Sequence, residues 1–242
     1  MTLNLTPKQD RIPYLNVNEI FGPTIQGEGP HAGQRVSFLR LSGCNLSCVW
    51  CDTPYSWDWE RYDRNEESHR ESVTDVAEVL TNLEASRVII TGGEPMIQQR
   101  HFPLLQQLTG FKIDVETNGT KAPTPEVIDA VDLFCVSPKL AHAGDPESMR
   151  LKPDALRAFA ELAQDGKAFF KFVAQEESDF AEIETFIEAG NLSSDSIWIM
   201  PEGADRDTHL TNLQKLATPV VDRNWNLSTR LHVLAWGSER GY

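Results

Sequence analysis

Beyond residue 71 the chain alternates between short apolar runs and amphipathic stretches, each closed by glycine, proline or small polar residues. The apolar runs at 88–90, 112–115, 133–136, 168–173, 197–200 and 231–234 are too short for helices and rich in β-branched or aromatic residues, so they predict strands. Between them the pattern predicts helices over 72–83, 96–108, 125–130, 153–164, 178–189 and 208–216. Ser72 with Asp75 three residues on is a capping start, and Pro125 and Pro153 suit first helical turns. Upstream, 17–21 alternates like a short strand, 22–30 is a glycine-rich loop, and 35–41 is a further strand. Residues 1–16 are expected to form a loose arm ahead of a single domain over 17–242. A polar, tryptophan-containing insertion around 56–71 carries no pattern that assigns it an element.

Strands that alternate with helices imply an α/β fold in which a parallel sheet is joined by right-handed crossovers. Such sheets bind ligands at the carboxyl ends of their strands. A polar motif stands at each of those ends: the loop after 35–41, then T-G-G-E-P at 91–95, E-T-N-G at 116–119, V-S-P-K at 136–139 and M-P-E-G at 200–203. Their common placement on one rim predicts a site there.

Composition narrows the function classes. A formal net charge of -14 sets up a field that disfavours nucleic acid as a large docked partner. The acidic residues are densest at 58–71 and 176–188, where they read as a loop and a solvated helix face. No apolar run approaches the roughly 18 residues needed to span a bilayer, and the first 13 residues lack the pattern of a secretory signal. A cytoplasmic protein with reduced thiols is expected, with no membrane partner.

Three of the four cysteines, Cys44, Cys48 and Cys51, fall in a C-x3-C-x2-C array, while Cys135 lies in an apolar run and reads as a small core residue. Clustered thiolates repel unless a metal neutralises them, and as soft ligands they suit zinc or an iron–sulfur cluster. Either group normally takes four protein ligands, so a four-iron cluster here would keep one iron open.

This spacing, with Trp50 just before the last cysteine, resembles the radical S-adenosylmethionine (SAM) superfamily. The set I-Q-G-E-G at 25–29, R-L-S-G-C-N-L-S-C-V-W-C-D-T at 40–53, T-G-G-E-P, E-T-N-G and V-S-P-K resembles, within it, the 7-carboxy-7-deazaguanine synthase (QueE) family; M-P-E-G and R-L-H-V-L-A-W-G match more loosely. The resemblance implies a partial (β/α) barrel of the radical SAM type. It implies a 4Fe-4S cluster on Cys44, Cys48 and Cys51 whose open iron chelates SAM, with the radical generated on the cofactor and no catalytic side chain. The implied reaction is ring contraction of 6-carboxy-5,6,7,8-tetrahydropterin to 7-carboxy-7-deazaguanine with loss of ammonia, toward queuosine and related deazapurines.

Residue roles follow from the same resemblance. Gly93 and Glu94 would support the methionyl amino group. Ser137, Pro138, Lys139, Met200, Pro201, Glu202 and Gly203 would hold the ribose, carboxylate and adenine of SAM. Ile25, Gln26, Gly27, Glu28 and Thr91 would contact the pterin, Arg40 its carboxylate, and Thr53 would bind Mg2+. His232 and the terminal carboxylate of Tyr242 are further substrate contacts. A flavodoxin or ferredoxin reductant and a homodimer are implied as well.

The stretch after the cysteine loop departs from compact family members. Two rival functions share the cysteines: an activase that installs a glycyl radical on a partner protein, and a non-enzymatic cluster or zinc module that senses redox state. The first gives no reason for I-Q-G-E-G or C-D-T, and the second needs no rim of loop motifs.

Overall fold

A computed structural model describes residues 13–237 and 239–242. Among the described residues the strands are β1 (Tyr14–Ile25), β2 (Arg35–Leu41), β3 (His69–Ser72), β4 (Arg87–Gly92), β5 (Lys112–Thr117), β6 (Leu133–Val136), β7 (Ala168–Ala174), β8 (Ile197–Pro201) and β9 (Asn226–Leu227). They form one sheet in the order β3-β1-β2-β4-β5-β6-β7-β8-β9. Neighbours from β2 to β9 run parallel, whereas β1 is antiparallel to β2 and β3. The sheet is open, with β3 and β9 as its edges. The helices are α1 (Arg64–Glu67), α2 (Val73–Asn82), α3 (Phe102–Thr109), α4 (Pro125–Ala130), α5 (Glu147–Arg150), α6 (Pro153–Gln164), α7 (Phe180–Gly190), α8 (Arg206–Asp222) and α9 (Leu231–Trp236).

Because side chains alternate along a strand, each parallel strand serves two faces. One face carries Leu39, Ile90, Val115, Phe134, Phe172 and Ile199, which pack with Val76, Leu80, Phe102, Phe159, Ile183 and Leu216 of the helices into the main apolar core. The other face carries Phe38 and Ile89 with Phe21, and then turns polar at Arg40, Thr91, Glu116 and Lys171 toward the carboxyl ends. All seven residues of β7 are buried, which makes Lys171 a charge enclosed within the fold.

Several elements differ from the pattern-based expectation. β1 begins at Tyr14 and continues through 22–25, so part of the expected arm and of the glycine-rich loop belongs to the sheet; the remainder of the arm, 1–12, lies outside the described residues. Gly22 permits this because a Cβ there would sit 2.9 Å from Ser37 Cα on β2. The helix expected at 96–108 opens as a 3-10 segment over Pro95–His101, with Gln98 turned onto the Asn16 backbone and Gln99 onto the Ala122 and Thr124 backbones. α8 starts early because Asp205 accepts from Thr208 N–H at 2.9 Å, and it runs on to Asp222. The helix expected at 178–189 opens as a 3-10 turn, Glu177–Asp179, and is α-helical from Phe180.

The strand expected at 231–234 is a helix, α9. Leu231 and Leu234, like Val233 and Trp236, are spaced by three, so the run fits a helical turn as well as an alternation. The last strand is instead β9, after which Ser228 N–H donates to Ile199 O and Leu231 N–H to Gly27 O. The polar segment around 56–71 is not an appendage: it supplies α1 and then β3, which pairs with β1 from Tyr14↔Ser72 to Val17↔His69.

Candidate active site

The loop after β2 holds the three cysteines and is fastened from several sides. Ser42 N–H donates to Asn16 O, Gly43 N–H to Ser56 O, and Val49 N–H to Ala143 O. Asp145 accepts from both the amide and the hydroxyl of Ser47. His142 accepts the Trp50 indole N–H at 2.9 Å through Nδ1 and reaches Val173 O with Nε2 at 3.2 Å, which fixes its proton on Nε2. The thiols of Cys44, Cys48 and Cys51 are unpaired and half-buried. Burial pushes Cys44 up to about 12 and Cys48 up to about 11, so both carry protons at neutral pH and would release them to a metal.

The glycine pair after β4 is explained by this loop. A Cβ on Gly92 would lie 2.1 Å from Leu41 O, and one on Gly93 2.2 Å from Gly43 O. The T-G-G-E-P turn is thus pressed onto the chain entering the cysteine loop, and Glu94 N–H donates to Gly43 O at 2.8 Å. The Glu94 side chain is buried and accepts from Met96 N–H, Thr117 hydroxyl and Asn118 N–H, tying the 91–95 turn to the 116–119 turn.

At the carboxyl ends of the strands a cavity of about 360 Å³ opens, within the range of small-molecule sites. It is lined by Cys44, Cys48, Cys51 and Thr53, by Ile25, Gln26, Glu28, Arg40 and Thr91, and by Gly93, Ser137, Lys139, Met200, His232 and Tyr242. Gly27, Glu94, Pro138, Pro201, Glu202 and Gly203, also expected in the site, are not part of that lining. Gly27 supports it directly: His232 lies on it so closely that a Cβ would be 1.9 Å from Nδ1. Gly203 offers its carbonyl to Arg230 Nη1 at 3.0 Å, and Glu202 N–H donates to Ala174 O.

Charged groups organise the floor. Glu28 pairs with Lys171 through one oxygen and with Arg230 Nε at 3.3 Å through the other; Arg230 also pairs with Asp52 of the cysteine loop. Burial by itself would raise the Glu28 carboxyl, but Lys171, Arg230 and His232 outweigh it and hold the group well below the usual carboxylate range. Glu28 is therefore an ion-paired carboxylate already engaged by protein cations. Gln26 and Thr91 both donate to Glu116, at 3.1 and 2.9 Å. Arg40 donates through Nε to Glu19 at 2.6 Å, and among the described residues no acceptor takes its Nη nitrogens.

The Radical SAM superfamily profile matches residues 39–135. A 7-carboxy-7-deazaguanine synthase of Pyrobaculum aerophilum is 35% identical over 235 residues, covering 95% of this chain and 98% of the relative. The chain belongs to the 7-carboxy-7-deazaguanine synthase family. A Halobacterium salinarum synthase is 34% identical over 93% of this chain and 91% of its own length. The crystal structure of QueE from Escherichia coli superposes with a TM-score of 0.65 at 26% identity, covering 90% of this chain and 95% of that one.

Enzymes of this superfamily use a 4Fe-4S cluster and SAM. The residues present fit such a group: three soft donors share one cavity wall, and the fourth thiol, Cys135, is buried in β6 and absent from the lining. Among the described residues no three side chains converge on a single ion, whereas in a multinuclear cluster each iron takes its own thiolate. Among the described residues no helix is long and apolar enough to cross a membrane.

Sequence reasoning missed Glu116, Lys171, Arg230, His142, Asp145 and Arg240. Lys171 carried a signal, as the one charge in A-F-F-K-F-V-A, and Glu116 opens a quoted motif. Arg240 pairs with Glu19 and Glu67 and lies over Tyr55 with 4.0 Å to the ring centroid, fastening the segment that carries Tyr242 to the cavity mouth. Its partners are far away in the chain, so nothing local marked it.

Proposed function

We propose that the protein is a 7-carboxy-7-deazaguanine synthase, contracting 6-carboxy-5,6,7,8-tetrahydropterin to 7-carboxy-7-deazaguanine with loss of ammonia. The observation that carries this reading is the match along nearly the whole chain to proteins named for that product. When bound, the cluster and SAM supply radical chemistry that no amino acid side chain offers. The chain's part is to bind, orient and shield.

In this proposal Cys44, Cys48 and Cys51 hold the cluster, while Gly93, Ser137, Lys139 and Met200, backed by Glu94, Pro138, Pro201, Glu202 and Gly203, hold SAM. Arg40 has the shape for the substrate carboxylate: it lines the cavity and Glu19 takes only its Nε, which leaves the two Nη nitrogens for a bidentate pair. Ile25, Gln26, Thr91, His232 and Tyr242 complete the pterin pocket. Glu28 acts through its ion pairs, and Gly27 by admitting His232. Thr53, whose hydroxyl is 3.7 Å from Cys51 Sγ, is the proposed Mg2+ ligand, a hard oxygen donor suited to that cation. The flavodoxin or ferredoxin donor and a homodimer are carried by family resemblance alone; cytoplasmic placement rests on the reduced thiols and the sequence pattern.

Anaerobic incubation of the reconstituted protein with the carboxytetrahydropterin, SAM, Mg2+ and dithionite tests the proposal. Formation of 7-carboxy-7-deazaguanine and ammonia is expected. A protein with an intact cluster that cleaves SAM and makes neither product refutes it.

A further inference from the structure

Trp57 follows the cysteine loop in the segment that has no periodicity of its own. The chain folds back there through a compact turn: Ser56 donates to Thr53 O through its amide at 3.0 Å and its hydroxyl at 2.8 Å. Trp57 N–H donates to Pro54 O at 3.1 Å, and Gly43 N–H, at the start of the cysteine loop, donates to Ser56 O at 2.7 Å. The turn is thus tied to both ends of the loop, and it sets the Trp57 indole N–H on Cys51 Sγ at 3.3 Å. Among the described residues, the other polar groups at these sulfurs are Leu46 N–H, 3.4 Å from Cys44, Asp145, 3.7 Å from Cys48, and the Thr53 hydroxyl, 3.7 Å from Cys51. Trp57 is the one side-chain N–H in the set, and an indole nitrogen donates but does not accept.

We propose that Trp57 tunes the iron–sulfur cluster: its indole N–H donates to the Cys51 thiolate and makes one-electron reduction of the cluster easier. The inference rests on the reading of Cys44, Cys48 and Cys51 as cluster ligands. Reduction adds one electron, supplied by an external low-potential donor, and increases the negative charge on the iron–thiolate unit. A donor fixed at a ligand sulfur stabilises the more negative state more strongly, and hydrogen bonds to the sulfurs are among the factors that set cluster potentials. If the oxidation states differ by about half of what a hydrogen bond to a charged group contributes, the reduction equilibrium changes about tenfold, or about 59 mV for one electron. The Thr53 hydroxyl is a longer contact to the same sulfur, at 3.7 Å.

Trp57→Phe keeps an aromatic ring and removes the donor. Unaltered and Trp57→Phe proteins are reconstituted anaerobically, assayed for iron and sulfide, and titrated by EPR against dithionite with redox mediators, without substrate. Equal cluster content and a potential about 59 mV more negative in the variant are expected. Equal content with an unchanged potential overturns the inference while leaving the cluster reading intact. Failure of the unaltered protein to assemble a four-iron cluster, or undiminished assembly in Cys51→Ala, overturns the cysteine reading and the inference with it. Should Trp57→Phe fail to assemble a cluster, pulsed EPR on the reduced Trp50→Phe protein carrying indole-15N tryptophan decides: a 15N coupling to the cluster is expected, and its absence overturns the inference.

Discussion

Replacing Lys171 by Met tests whether the cavity floor is held by charge pairing. The Lys171 and Glu28 side chains are only 7% and 12% exposed, so their carboxylate–ammonium contact is shielded from water. Removing one member of a buried pair strands the other, at a cost of about 3–5 kcal/mol. Arg230 remains on the second Glu28 oxygen at 3.3 Å, which places the expected loss at the lower end, about 3 kcal/mol. That is a large part of the roughly 5–15 kcal/mol that holds a domain folded. At about 2–4 °C per kcal/mol for a chain of this size, the melting temperature falls by about 6–12 °C. The assay is urea unfolding at equal cluster content for Lys171→Met, Glu28→Gln and the double variant. Removing both charges relieves the stranded carboxylate, so the double variant is expected to be more stable than the sum of the singles by about 2 kcal/mol. A Lys171→Met loss below about 1 kcal/mol, or strict additivity, refutes the reasoning.

Gly27→Ala would put a Cβ 1.9 Å from His232 Nδ1, so the ring and α9 must move; kcat/KM for the pterin is expected to fall about a hundredfold while uncoupled SAM cleavage persists, and unchanged pterin kinetics would contradict this. His209 is buried and accepts the Arg230 backbone N–H through Nε2. Burial, followed by the Arg230 charge, lowers its pKa, so the unfolded chain takes up the proton first. The His209 contribution is whole above pH about 6.5 and is lost as pH falls from there through the folded value. His209→Gln is expected to flatten, though not abolish, the decline in urea stability between pH 7.5 and 5.5, since buried His101 and half-buried His232 shift the same way; an unchanged slope contradicts it.

What could be read from the chain follows from the range of the interactions involved. The parallel strands β2 and β4 to β8 were legible because each is a local apolar run, and 35–41, 133–136 and 153–164 match the observed β2, β6 and α6; the two-residue β9 has no such run. Leu231–Trp236 was not legible, because a short turn of helix with apolar residues at 231, 233, 234 and 236 satisfies two periods at once. The cysteines and the rim motifs were legible because their spacing is itself the chemistry. The network that holds them was not: Arg230 meets Asp52 and Glu28 across 178 and 202 residues, and Ser47 meets Asp145 across 98. Trp57 stood six residues from its sulfur, but the reversal that joins them depends on Gly43 and Ser56, a pairing no local pattern announces.

In the proposed site three cysteines hold the cluster and leave one iron for the sulfonium cofactor. ENDOR of the reduced, reconstituted protein with SAM labelled at its amino nitrogen and carboxylate measures this directly, in the unaltered chain and in Cys135→Ala. Coupling from both labels in both proteins is the predicted result. A cluster that shows no coupling to added SAM, or one that is lost when Cys135 is removed, would mean that a fourth thiolate closes the site, and would contradict the account.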